Sequence, residues 1–167
     1  MKMNLYLKHL YLNRKMRNKM IISTFLCFIL VYLIFCGNKE EQYADRVISL
    51  LYEKGIETKG FTHIVIIPGA GCGGCISEAE HFFYEYKEER ILFIFTKVHS
   101  VKELRLRLGS HLDRKNVLID KEQLYISAKE EINIYPIIID IRDAANLEWR
   151  FLESGISYQS ILETFGK

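Results

Sequence analysis

The chain has 167 residues, 49% of them apolar, four cysteines and a net charge of +2. That length suits one domain with its own core plus a short extra segment, and four cysteines are too few for a disulfide-stapled scaffold. The charge is divided: six of the 23 Lys and Arg and no acid fall in residues 1–36, which leaves 17 basic against 21 acidic residues, net −4, in the remainder. A body of that sign argues against a nucleic-acid partner, which needs a basic face.

Residues 20–36, MIISTFLCFILVYLIFC, carry no charge and are apolar all round, so they do not read as an amphipathic surface helix. Their 17 residues lie at the short limit of the ~17–25 that span a bilayer. Basic residues precede the run and Glu40 and Glu41 follow it, which predicts an N-terminus in the cytoplasm and residues 37–167 outside. Two forms of attachment fit. One is an uncleaved signal anchor. The other is a lipoprotein signal peptide cut before Cys36, with lipid carried on that cysteine. The stretch Leu33-Ile34-Phe35-Cys36-Gly37-Asn38 resembles a lipobox and departs from it at Phe35, where a small residue is usual. A start at Met16 gives an n-region of more ordinary signal-peptide length. Cys27 reads as an apolar filler. The predicted organisation is a signal peptide or anchor over 1–36, a tether and helix over 37–59, and a domain over 60–167.

In residues 40–54, Tyr43, Val47, Leu50 and Leu51 share one helical face, and Gly55 ends the helix. His63-Ile64-Val65-Ile66-Ile67 is a continuous apolar run suited to a strand buried on both faces, closed by Pro68 and Gly69. Cys72-Gly73-Gly74-Cys75 follows, then a helix whose inner face holds Ile76, Ala79, Phe82, Phe83 and Tyr86. Ile91 to Phe95 forms the next strand, completing a βαβ unit. Ser100 and Glu103 form a capping box for a helix that ends at Gly109. A short strand is predicted at Val117-Leu118-Ile119, a helix over 121–130, and a strand over 134–141 that is entered through Pro136. Leu147, Trp149 and Phe151 alternate with Glu148 and Arg150, marking a strand with one wet face. Only residues 142–146 separate these last two strands, too few for a crossover, so the pair is predicted antiparallel. Ser157 is placed as the cap of a final helix through Ile161, Leu162 and Phe165. The sum is an α/β fold with a mixed central sheet flanked by helices.

A C-x-x-C between a strand and a helix has a chemical reason. The helix N-terminus carries partial positive charge and unpaired N–H groups, which favour a thiolate there. Cys72 occupies that position, and Cys75 lies one turn further in, near enough to close a disulfide with it. The pair is expected to interconvert between dithiol and disulfide, with Cys72 the more exposed and more acidic thiol. Gly69, Gly71, Gly73 and Gly74 leave the backbone open to another polypeptide. A metal site is not expected, because the four-ligand sets that zinc prefers would need more than this one pair. His81, His99 and His111 have no ligand-like spacing, and His63 reads as the start of a strand.

A buried strand, a C-x-x-C opening a helix and a later strand entered through proline together resemble the thioredoxin family, with its TlpA-like membrane-anchored and lipoprotein branch the nearest. The resemblance covers about residues 60–166. It implies a thioredoxin-like fold and a redox-active disulfide with no other cofactor. It also gives Pro136 a place against the disulfide, with a cis Tyr135–Pro136 bond, and makes Gly71 and Tyr135 substrate-binding positions. The chain differs from the family at Gly71, where an aromatic residue is usual, and at Tyr135, where Thr or Val is usual; no carboxylate stands where that family buries one.

The function so implied is that of an enzyme, a thiol–disulfide oxidoreductase of the bacterial cell envelope or periplasm. Its partners would be protein thiols and disulfides and an electron donor or acceptor. Its membrane contact would run through residues 20–36 or lipidated Cys36. The alternative is a non-redox, surface-tethered module that keeps the fold and uses the glycine-rich loop for binding or metal capture.

Overall fold

A computed structural model describes residues 41–165. The attachment readings for 1–36, Cys36 included, and the start of the tether lie outside them. Helix α1 (Glu41–Glu53) comes first, then strand β1 (His63–Pro68), helix α2 (Gly73–Glu85), strand β2 (Ile91–Thr96), helix α3 (Val101–Leu108) and strand β3 (Val117–Ile119). Strands β4 (Ile137–Asp140) and β5 (Glu148–Phe151) and helix α4 (Tyr158–Thr164) complete the order. Among the described residues, no helix is long and apolar enough to cross a membrane.

The strands form one mixed five-stranded sheet in the order β3-β2-β1-β4-β5. β1 runs parallel to β2, and β2 to β3; β4 is antiparallel to both β1 and β5. The apolar runs of β1 and β2 are central, as their lack of alternation required, and every residue of both is buried. Successive side chains go to opposite faces. Val65 and Ile67 of β1 therefore join α2, α3 and α4 in one core, with Phe83, Phe93 and Phe95 fully enclosed. Ile64 and Ile66 join α1 in the other, with Tyr125, Ile132 and Ile139. Leu147, Trp149 and Phe151 lie against this second core, where Trp149 meets Tyr43 edge-on at 5.7 Å.

α2 is secured at its C-terminal end. Arg114 donates to the carbonyls of Phe83 and Tyr86, each at 3.0 Å, and its guanidinium lies over the Phe83 ring. These bonds satisfy carbonyls that a helix end leaves open. At α3, Ser100 caps as expected, its hydroxyl oxygen accepting the Glu103 N–H at 3.2 Å.

Two local expectations are corrected. No helix forms over 121–130: residues 121–129 run through turns, and Glu130–Ile134 is a 3₁₀ turn. Asp120 is buried, and its carboxylate accepts the N–H groups of Leu124 and Tyr125 and the Thr96 hydroxyl. Gln123 adopts φ +55, a left-handed conformation that interrupts a helix. Asn133 then pins the segment by accepting the Ser127 N–H and donating to the Ser127 carbonyl. Side chains thus take over the backbone groups that a helix would have used. Ser157 does precede α4, but its side chain makes no capping hydrogen bond.

Candidate functional site

The CGGC segment lies where β1 hands over to α2. Cys72 is the N-cap residue of α2, with φ −66 and ψ 101, and its Sγ accepts the Cys75 N–H at 3.4 Å. That contact is the physical content of a thiol at a helix N-terminus: an otherwise unpaired N–H points at the sulfur. The two sulfurs are joined in a disulfide, with the Cα atoms 5.3 Å apart. Cys72 is half-buried, whereas Cys75 is 2% exposed, so Cys72 is the sulfur open to an incoming reactant, in the order expected.

The strand into which Pro136 leads approaches this segment from the other side. The Cys72 N–H donates to the Ile134 carbonyl at 3.0 Å. Gly71 makes that contact possible. It sits at φ +150, and a Cβ there would come within 2.2 Å of the Ile134 oxygen. Any side chain at position 71 would therefore collide with the backbone of residue 134. Gly71 is exposed, Pro136 is buried and Tyr135 is half-buried, its ring 5.6 Å from that of Phe151. The cis Tyr135–Pro136 bond expected from the resemblance is not found: every peptide bond among the described residues is trans. Tyr135 holds φ −105 and ψ 148, the extended conformation that the residue before a trans proline prefers.

Two residues not singled out from sequence complete the surroundings. Tyr158 of α4 is buried, stacks on Phe82 at 4.8 Å and donates its hydroxyl to the Cys75 carbonyl at 3.3 Å. Glu78, one turn beyond Cys75, accepts the Gly155 N–H on both carboxylate oxygens, at 3.0 and 3.2 Å. Burial, and after it the Glu78 charge, raise the Tyr158 hydroxyl above the ordinary tyrosine value, so it remains a donor. No local periodicity marks either residue, because each acts through a contact with a distant loop or helix. Ile134, whose carbonyl takes the Cys72 N–H, is 39% exposed, and Ile156, next to Gly155, is 43% exposed.

The histidines lie elsewhere. His81 pairs with Glu85 on the exposed side of α2, and the His111 ring lies tilted against that of Tyr84, their centroids 4.3 Å apart. Among the described residues, no three His, Cys, Asp or Glu side chains are grouped to hold a metal ion. His63 starts β1, at the end of the strand away from the disulfide. It is buried, its Nδ1 is 2.9 Å from the Thr62 hydroxyl, and its Nε2 has no hydrogen-bond partner among the described residues. Burial pushes its pKa below the ordinary histidine value; Asp140 opposes that push, and Arg142 and Arg90 add to it. Asp140 pairs with His63 across the sheet. Burial alone would raise its carboxyl, but the hydrogen bonds from Arg142 hold it low.

An acid sensitivity follows. A histidine with a lowered folded pKa binds its proton more readily in the unfolded chain, so stability falls as pH drops below about 6.5. Asp140 adds its own loss only further down, in the carboxylate range. Urea unfolding of the wild type between pH 8 and pH 5 is expected to show this slope, at most about 1.4 kcal/mol per pH unit for one proton. His63→Gln is expected to flatten it. An unchanged slope in that variant assigns the sensitivity to other groups.

No family model matches this chain, and neither a curated protein nor a solved structure matches it.

Proposed function

We propose that this protein is a thiol–disulfide oxidoreductase with a thioredoxin-like fold, attached to the cell-envelope membrane with its α/β domain outside the cytoplasm. The observation that carries the proposal is the asymmetry of the pair. The half-exposed Cys72 sulfur caps a helix and receives an N–H, and it is bonded to a Cys75 that is shut away from solvent. Such a pair divides the labour of disulfide exchange. In the reducing direction, the Cys72 thiolate attacks a substrate disulfide, one substrate sulfur leaves as a thiolate, and a mixed disulfide forms. Cys75 then attacks Cys72 Sγ, the second substrate thiolate leaves, and the Cys72–Cys75 disulfide has taken up the change of two electrons.

The mixed five-stranded sheet, with the disulfide at the β1–α2 junction and the chain entering β4 beside it, is compatible with that fold. The site residues of the proposal are Cys72 and Cys75, with Gly71, Tyr135 and Pro136 as the backbone wall that an incoming polypeptide meets. Attachment and location rest on the apolar run 20–36, the cations before it and Cys36.

One labelling experiment tests chemistry and location together. Spheroplasts are treated with a membrane-impermeant maleimide, with and without prior impermeant reductant, and the labelled cysteines are then identified by peptide mass mapping. Two labels on Cys72 and Cys75 after reduction, and none before, are expected. Labelling of Cys72 or Cys75 without reductant rejects a resting disulfide, and no labelling of either after reduction rejects the outside location.

A further inference from the structure

A charged cluster at the end of the sheet away from the disulfide holds the last turn of α4. Both Asp140 carboxylate oxygens accept from Arg142 Nε, each at 3.0 Å, and the Arg142 guanidinium donates onward to the Phe165 carbonyl at 2.6 Å. Phe165 closes the C-terminal end of α4 and is buried, its ring 5.6 Å from that of His63 and covered by the Arg150 guanidinium at 4.8 Å. His63 faces Asp140 directly. The Ile141 N–H donates to the Thr62 carbonyl, which makes His63 and Asp140 the adjacent, non-hydrogen-bonded pair, where antiparallel strands bring side chains closest. The hydrogen on the His63 ring can also be placed. Thr62 gives its one hydroxyl hydrogen to the Arg90 carbonyl at 3.2 Å, so its oxygen accepts from Nδ1–H at 2.9 Å. Nε2 is then a bare lone pair, buried and without a hydrogen-bond partner among the described residues.

We propose that His63 is a proton-operated latch on α4: a proton taken from solvent onto Nε2 draws the Asp140 carboxylate to the ring, Arg142 loses its anchor, and the Phe165 carbonyl is let go. The physical reason is that a buried charged N–H costs a great deal without an acceptor, and Asp140 is the anion across the strand pair. The charges that act on the ring are Asp140 of β4, which favours the proton, and Arg142 after β4 and Arg90 before β2, which oppose it. From α4 the ring meets the uncharged Phe165, with Arg150 of β5 against that residue. The other end of α4 is Tyr158, whose hydroxyl donates to the Cys75 carbonyl. A helix of seven residues therefore joins the latch to the turn that holds the disulfide. The opening is local and precedes the global unfolding that urea reads. It stands on packing alone and does not depend on the thiol chemistry proposed above.

Amide hydrogen exchange of the oxidised full-length chain, followed by mass spectrometry at pH 7.5 and pH 5.5, tests the latch. Protection of residues 158–165 is compared with that of 63–68 and 91–96, after correction for the intrinsic exchange rate at each pH. In wild type, protection of α4 is expected to fall about threefold to tenfold at pH 5.5, the range open to one proton on a group with an unfolded value near 6.5, while β1 and β2 hold theirs. In His63→Gln, which has no proton to gain, α4 should be equally protected at both pH values. In Arg142→Gln, which keeps the imidazole but removes the anchor, α4 should already be open at pH 7.5. Three results overturn the latch: wild-type α4 protected alike at both pH values, a fall in β1 and β2 equal to that in α4, or Arg142→Gln as protected as wild type at pH 7.5. A fall that persists in His63→Gln assigns the proton to another group and overturns it as well. The wild-type and Arg142→Gln arms decide the matter should His63→Gln fail to fold.

Discussion

Cys72→Ser is expected to abolish exchange with a peptide disulfide, whereas Cys75→Ser is expected to remain covalently joined to the peptide. The difference follows from burial and position. With Cys72 gone, the remaining thiol of the pair is the 2% exposed Cys75, which a peptide sulfur cannot approach in line. With Cys75 gone, Cys72 keeps its place at the helix N-terminus and attacks normally, but among the described residues no second thiol is left to resolve the product. Mass spectrometry without reductant reads both outcomes: the bare chain for the first variant and the chain plus one peptide for the second. Trapping by Cys72→Ser instead would show that the roles of the two sulfurs are reversed. Failure of both variants to trap, with a wild type that does not turn over, would count against exchange at this pair altogether.

Gly71→Ala is expected to cost about 3–5 kcal/mol, large for the addition of one methyl group. Two effects act together. The left-handed φ of +150 is open to glycine and strained for any residue with a Cβ, and that Cβ would lie 2.2 Å from the Ile134 carbonyl oxygen, which is backbone and cannot turn aside. Relief requires the 134–136 segment to withdraw, which breaks the Cys72–Ile134 hydrogen bond and opens the wall beside the disulfide. Gly73→Ala is the internal control. It lies in the first turn of α2 with nothing within 4 Å of the added carbon. There, alanine should be neutral or stabilising by up to ~1 kcal/mol, through helix propensity and a less disordered unfolded chain. Urea unfolding of both variants with the disulfide intact makes the comparison. Equal effects would show that the approach of residue 134 to Gly71 is not what holds this wall.

The parts of the molecule readable from sequence are those set by local pattern. Unbroken apolar runs at 63–67 and 91–95 required strands covered on both faces, and they became the sheet centre. The CGGC segment before an amphipathic run put one sulfur at a helix start, and Cys72 is the N-cap of α2. The five-residue link 142–146 left the last two strands no geometry but antiparallel. In each case the information lies within a few residues, because hydrogen-bond period, side-chain alternation and chain reach act over that distance.

What sequence could not reach depends on partners far apart along the chain. β4 lies beside β1 and antiparallel to it, a partner far along the chain that no local pattern names. Residues 121–129 have helical-looking composition, yet the Asp120 carboxylate and the Asn133 amide bind their backbone groups first. The Tyr135–Pro136 bond is trans although the resemblance implied cis, since local sequence does not determine the isomer and the surrounding contacts do. Gly71 was legible as an open loop position, but not as the seat of the Ile134 carbonyl. Glu78 reads in sequence as one more acid on a solvated helix face. In the fold Gly155, 77 residues later, donates to its carboxylate, and Tyr158 binds the turn that holds Cys75. A side chain's chemistry is written in its own residue, but its environment is assembled from distant segments. Periodicity therefore located the disulfide, and long-range packing placed the groups around it.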